Sequence, residues 1–179
     1  MITKNFKTIL ALILESNNYS SDSVLAVKNT AGAIRYIGCY FNNYNFPVAI
    51  NHAMQINSTQ TAQGVYVGTG STAPTADDYK LEAVIASGIT ASDPSRYVNV
   101  DSDGNPYIQL IYTLTNTTSS DITINEIGYI QTMRTSNTAG TSATAASYLM
   151  LDRTVLSTPV TVPANGTAAI KYTLKTVIS

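Results

Sequence analysis

The sequence predicts an all-β protein: an antiparallel β-sandwich, jelly-roll-like in its strand plan by the number of short strands, preceded by a short N-terminal helix. Three observations carry that expectation. Only 12% of the residues are Asp, Glu, Lys or Arg, about half the usual share, so the surface has to be built from Thr, Ser, Asn and Gln. Threonine suits a pleated surface better than a helix. In the second half, Ile108, Leu110, Tyr112 and Leu114 alternate with polar or exposed partners, and so do Ala168, Ile170, Tyr172 and Leu174, the period of a half-buried strand. Short apolar runs are separated by Gly-, Asn- and Pro-containing turns throughout, the spacing of a sandwich.

At 179 residues and a net charge of −1, the chain has the length of one domain with an appendage. We read residues 1–20 as a helical segment and 21–179 as a single sandwich domain. Phe6, Ile9, Leu10, Ile13 and Leu14 fall at i, i+3, i+4, i+7 and i+8, an apolar stripe on a helix spanning residues 5–15. That stripe either covers the domain's own core or docks on a neighbouring subunit, which makes these five residues the candidate subunit contacts. The apolar run Thr8–Leu14 superficially resembles a secretory signal. Glu15 follows it directly and no small-residue cleavage site comes next, so an uncleaved, soluble chain is expected. No segment approaches the ~20 apolar residues of a membrane helix.

From Val24 the pattern turns strand-like: residues 24–27 and 33–41 predict a hairpin around Lys28–Gly32. Residues 42–47 are a turn-rich break, and 48–56 are ambiguous between strand and helix. Residues 64–70 predict a short strand ending in glycines. Thr75-x-x-Asp78 has the spacing of a helix-starting cap, which predicts one helical turn through Tyr79 and Leu81 and a further strand soon after. Asp101–Pro106 is a tight turn. Residues 121–133 are a strand whose facing slips between Ile124 and Ile127, which predicts a bulge near Glu126–Gly128. Residues 134–147 hold no large apolar side chain and predict a long loop, either mobile or in contact with a neighbour. Residues 148–151 and 159–162 read as two short strands, and Pro163–Gly166 turns into the last one.

The chemistry-bearing residues form no catalytic or metal-binding constellation, and no cofactor is expected. His52 is the single histidine and Cys39 the single cysteine, which rules out a multi-histidine metal site and an intrachain disulfide. Gly68-Thr-Gly70-Ser-Thr looks like a phosphate loop but lacks the following Gly-Lys-Ser/Thr, so a strand-ending turn is the better reading. Asp101, Asp103 and Asn105 imitate the start of a calcium loop whose twelfth position is Tyr112 rather than Glu. Asp77, Asp78 and Glu82 are the closest approach to paired carboxylates, with nothing to mark an acid or a nucleophile. The 12 tyrosines without tryptophan fit core and interface use better than sugar stacking. No basic cluster is present, so direct nucleic-acid binding is not expected.

Five segments, in order, carry a resemblance: Val65–Glu82, Ile124–Gly128, Leu151–Arg153, Pro159–Gly166 and Ile170–Leu174. Together they resemble small β-rich virion structural proteins of tailed bacteriophages, over about residue 60 to the end. The resemblance implies a non-enzymatic structural subunit, made in the host cytoplasm and carried in the virion. It implies many copies at the neck or tail, as a ring, adaptor or tail component. The implied partners are neck, tail, portal or capsid subunits and further copies of the chain, without membrane insertion. A capsid decoration or head-fibre protein is the alternative within that class. A carbohydrate-binding module for host attachment is the alternative outside it.

Overall fold

A computed structural model describes residues 1–15, 24–38, 53–138 and 145–175, and of residues 11–15, 24 and 38 the backbone only. One helix, α1 (Lys4–Glu15), precedes β1 (Val24–Lys28), β2 (Ile34–Gly38), β3 (Gly64–Gly68), β4 (Ile89–Ala91) and β5 (Ser95–Val100). The remainder is β6 (Pro106–Asn116), β7 (Ile122–Thr135), β8 (Ala145–Val162) and β9 (Thr167–Lys175). All pairings between these strands are antiparallel.

Two sheets make the sandwich. The first has the order β3-β7-β8. In the second, β6 is central: β9 lies along one edge, and β4 and β5 share the other, paired to opposite ends of β6. Leu110, Tyr112 and Leu114 of β6, with Ile170 and Tyr172 of β9, face Val65, Val67, Ile124, Ile127, Tyr129 and Val162 of the first sheet. The clean alternation of β6 and β9 follows from this, because one face of their sheet meets the core and the other meets solvent. The pair β6·β9 encloses the hairpin β7·β8 in sequence while crossing between the sheets. This nesting of one strand pair inside another is a folded-ribbon arrangement of the kind found in Greek-key sandwiches.

The first sheet is covered on its other face as well. Tyr66, Leu81, Ile130 and Met150 form a cluster there, while Ile9, Val27, Ile37, Met133 and Leu149 extend the core along the inner face, joined to it through Leu151. β7 is accordingly buried at six consecutive positions, Glu126 to Gln131, and its facing is not legible as alternation. Register shifts lie between Ile124 and Glu126 and between Tyr129 and Ile130. The first shift returns Ile127 and Tyr129 to the core face that Ile124 occupies, as a bulge does.

The helix is present where the apolar stripe predicts it, and its start is tied to the sandwich. The Thr3 hydroxyl donates to the Met150 carbonyl at 2.7 Å. Asn5 donates to the Lys28 carbonyl at 2.7 Å and accepts the Lys28 N–H at 2.9 Å. Ile9 is buried, Phe6 half-buried and Leu10 exposed, while the Ile13 and Leu14 side chains lie outside the description. No helix among the described residues is long and apolar enough to cross a membrane.

The β1–β2 hairpin forms as predicted, with Gly32 at φ +82° in its turn, a conformation glycine adopts without steric cost. Four local expectations are corrected. Residues 145–162 form one continuous strand rather than two short ones, because a charged middle that reads as a break is buried and paired. Residues 75–81 form turns and no helical turn. β5 is a strand in its own right. The 134–147 loop is shorter than expected, since β7 runs to Thr135 and β8 starts at Ala145. The predicted break at 42–47, most of the ambiguous stretch 48–56 and the end of the 33–41 strand lie outside the described residues.

Candidate functional site

The densest polar cluster among the described residues is built around two side chains that sequence reasoning did not single out, Glu126 on β7 and Arg153 on β8. Both are buried: Glu126 is 0% and Arg153 3% exposed. An unpaired charge at such depth is very costly, and each is fully engaged. The Arg153 Nε donates to Glu126 Oε2 at 2.8 Å, Nη1 to Asp78 Oδ2 at 2.8 Å, and Nη2 to the Thr72 carbonyl at 3.1 Å and Glu82 Oε2 at 3.3 Å. Glu126 Oε1 accepts the N–H groups of Gly70 at 3.3 Å and Ala83 at 2.8 Å, and Oε2 accepts that of Glu82 at 3.2 Å.

The glycines of the 68–70 segment explain this geometry. A Cβ at Gly68 would stand 2.5 Å from Glu126 Oε1 and 2.6 Å from the Ala83 carbonyl oxygen, and one at Gly70 would stand 2.6 Å from Glu126 Oε1. The phosphate-loop likeness therefore has a physical basis. The turn presents the Gly70 N–H to an anion, the chain's own Glu126 carboxylate, which takes its other two backbone N–H groups from Glu82 and Ala83.

Asp78 and Glu82, two of the three neighbouring acids noted in the sequence, meet at Arg153. Asp77 turns away and pairs with Lys4 at 2.5 Å on the surface. The Thr75/Asp78 pair makes its expected bonds, with the Thr75 N–H and hydroxyl donating to the Asp78 carboxylate at 3.0 and 2.9 Å. No helix follows, since Arg153 holds that carboxylate against β8. Burial opposes the charge of Asp78, but the Arg153 and Thr75 bonds outweigh it and hold the carboxyl below its usual range. At Glu82 the Thr72 hydroxyl and N–H depress the carboxyl, and the Arg153 charge adds to them. Burial likewise opposes the charge of Arg153, and its bonds to Asp78 and Glu126 overcome this and raise its pKa. The arrangement clamps the 69–84 segment over the outer face of the first sheet; every ionic group in it already has a partner.

The calcium-like turn closes on itself. Asp101 Oδ1 accepts the N–H groups of Asp103 and Asn105, both at 2.9 Å, and its other oxygen pairs with Lys175. The Lys175 ammonium and the Asn105 N–H bring Asp101 down to about 2. Among the described residues no group of three or more His, Cys, Asp or Glu side chains is placed to hold a metal ion. Cys39 and His52 lie outside the described residues. Tyr66, Tyr112, Tyr129 and Tyr172 are core residues, and the Tyr172 hydroxyl donates to Asp152 Oδ2 at 2.7 Å.

A second feature lies at the edge of the other sheet. All six residues of β5 are exposed, including the apolar Tyr97, Val98 and Val100 at 55%, 71% and 56%. The Asp101 N–H bonds to the Asn105 carbonyl at 3.0 Å at the hairpin end. Because antiparallel bonds alternate, Ser95, Tyr97 and Asn99 turn their backbone groups toward β6. Arg96, Val98 and Val100 turn theirs toward the open edge. The Val100 N–H is taken by Asn99 Oδ1 at 2.8 Å.

Comparison with known proteins gives no relative: no family model matches the chain, and neither curated proteins nor solved structures match it.

Proposed function

We propose that the chain is a non-enzymatic structural subunit of a tailed-bacteriophage particle, present in many copies at the neck or tail. One contrast carries this reading: a buried arginine gathers three carboxylates inside the body, while the edge strand β5 leaves apolar side chains exposed. Arg153 and its three carboxylates are consumed in clamping a loop to the sandwich, whereas a fully exposed strand offers valines and open backbone groups. A rigid body with a neutral surface and an open strand edge is suited to packing against other subunits, because hydroxyls and amides cost less to desolvate than charges. The segments that carry the phage resemblance contribute Asp78, Glu82, Glu126 and Arg153, so the shared pattern falls on the residues that make this body rigid. Neck, tail, portal or capsid subunits and other copies of the chain are the partners of this reading.

The experiment is to purify particles from cells infected with a phage encoding the chain. The subunit is quantified by mass spectrometry and located by imaging particles that carry it with a label. Several copies at the neck or tail are expected. Label over the capsid surface would favour a decoration protein, and absence from particles together with binding on a glycan array would favour the attachment module.

A further inference from the structure

We infer that the open edge of β5 is a joint between two copies of this chain, formed by antiparallel self-pairing of the strand about Val98. The inference rests on the subunit reading only for the local concentration that a multi-copy assembly provides.

An antiparallel pair of identical strands has its two-fold axis at a residue that faces its own copy. With the axis at Val98, Arg96 faces the second copy's Val100, and Tyr97 faces its Asn99. The outward-turned residues are Arg96, Val98 and Val100, so this register brings together the groups that have no partner on β6. The Val100 N–H exchanges the Asn99 side chain for a backbone carbonyl.

The side chains agree with that register. Val98 is paired to Ile108 and Ile108 to Leu174, and Ile108 and Leu174 pack at the margin of the sandwich core. Self-pairing at Val98 extends this apolar row across the axis into the same row of the second copy, and it covers the most exposed of the large apolar side chains. Charge favours antiparallel over parallel pairing: Arg96 lies near the start of β5 and Asp101 and Asp103 just past its end. In-register parallel pairing would set every like charge side by side, whereas the antiparallel register brings Arg96 near the other copy's Asp101 and leaves one like pair, Asp93 facing Asp103. Natural edge strands are usually blunted by lysine, proline or a bulge; two of the three outward-turned positions here are valine.

Sedimentation of the purified full-length chain over a concentration series tests the joint. The wild type is expected to pass from monomer to dimer. Val98→Pro removes an N–H that β6 does not use, and it should weaken dimerisation at least about tenfold with an unchanged thermal unfolding profile. Val98→Lys is the second variant should proline disturb the hairpin, and it should do the same. In a Cys39→Ser background, Val98→Cys should form a disulfide-linked dimer on oxidation. Asn99→Cys, which this register places opposite position 97, should not. A wild type that stays monomeric throughout, dimerisation undiminished in both Val98 variants, or cross-linking at position 99 instead of 98 would each overturn the joint. Particle composition is read separately. Particles that contain a chain found monomeric in solution would sink the joint and leave the subunit reading standing; a dimer that is absent from particles would do the reverse.

Discussion

β7 and β5 are strands of the same sandwich with inverted chemistry. β7 lies between two partners and buries a glutamate completely, while β5 has one partner and leaves Val98 71% exposed. Polarity alone would assign Glu126 to the surface and Val98 to the core. What decides their places is the supply of partners. Glu126 is met by one guanidinium and three backbone N–H groups, while Val98 stands where the sheet ends. In this chain a charged residue marks the rigid centre and an apolar one marks the open rim.

The strongest way to break the contrast is Arg153→Met. It leaves Glu126 buried beside Asp78 and Glu82 with no cation, and it should destabilise the fold by about 3–5 kcal/mol, read from denaturant unfolding. Adding Glu126→Gln should recover part of that loss, because the buried charge is then gone as well. The same cluster sets an acid limit. Asp78 and Glu82 have folded pKa values below their unfolded ones. Their contribution is therefore complete above the ordinary carboxylate range, about pH 4–5, and is lost as pH falls through the folded values. Arg153→Met should flatten the acid side of the stability profile between pH 5 and pH 2.

A smaller effect is expected at Gly68→Ala, where the added methyl meets Glu126 and the Ala83 backbone. Overpacking of this kind costs about 1–3 kcal/mol, and the melting temperature should fall accordingly. Asn5→Ala removes both bonds to Lys28 and should cost about 1–2 kcal/mol, with hydrogen exchange rising first in β1. At the other extreme, Tyr97→Ser on β5 should change monomer stability by less than about 0.5 kcal/mol. A larger loss there would mean that the rim is part of the core after all.

The core tyrosines sharpen the contrast from the alkaline side. Burial pushes Tyr129 up to about 12, and it raises Tyr112 and Tyr172 as well. A group whose folded pKa is raised contributes stability that is complete below its unfolded value, near 10, and lost as pH climbs toward the folded one. Phenolate absorbance from these side chains should appear together with unfolding above about pH 10, not before it.

Legibility in the sequence followed the same division. β6 and β9 could be read residue by residue because one face of their sheet is wet. β7 and β8 could not, since a sheet covered on both sides does not alternate. The run Asp152-Arg153-Thr154 looks like a break between two short strands, although it is the middle of one. β5 was missed as a separate element because Arg96 and Asn99 dilute its apolar content. The bulge was detectable from the shift in facing, to within a residue or two. Asp78 and Glu82 were noticed as neighbouring acids. Their common partner lies about 70 positions away in sequence, and no local spacing reports such a distance. Of the three stripe residues whose side chains are described, Ile9 is buried against β1 and β2, Phe6 half-buried and Leu10 exposed, a detail the stripe alone leaves open between core and contact.

The nesting of β7·β8 inside β6·β9 also sets an order of events during folding. The β5–β6 and β7–β8 hairpins are local and can close in microseconds. β3 must wait for β7, whose pairing joins Gly64 to Ile130, and β6 must wait for β9, whose pairing joins Tyr107 to Lys175. Pairings between distant segments are the slow ones. During synthesis, β6 therefore leaves the ribosome with one edge unsatisfied until the strand after Gly166 emerges. The hairpin's other edge is capped in part even in the folded chain, where the Asn99 side chain holds the Val100 N–H, so a strand adding there has to displace it.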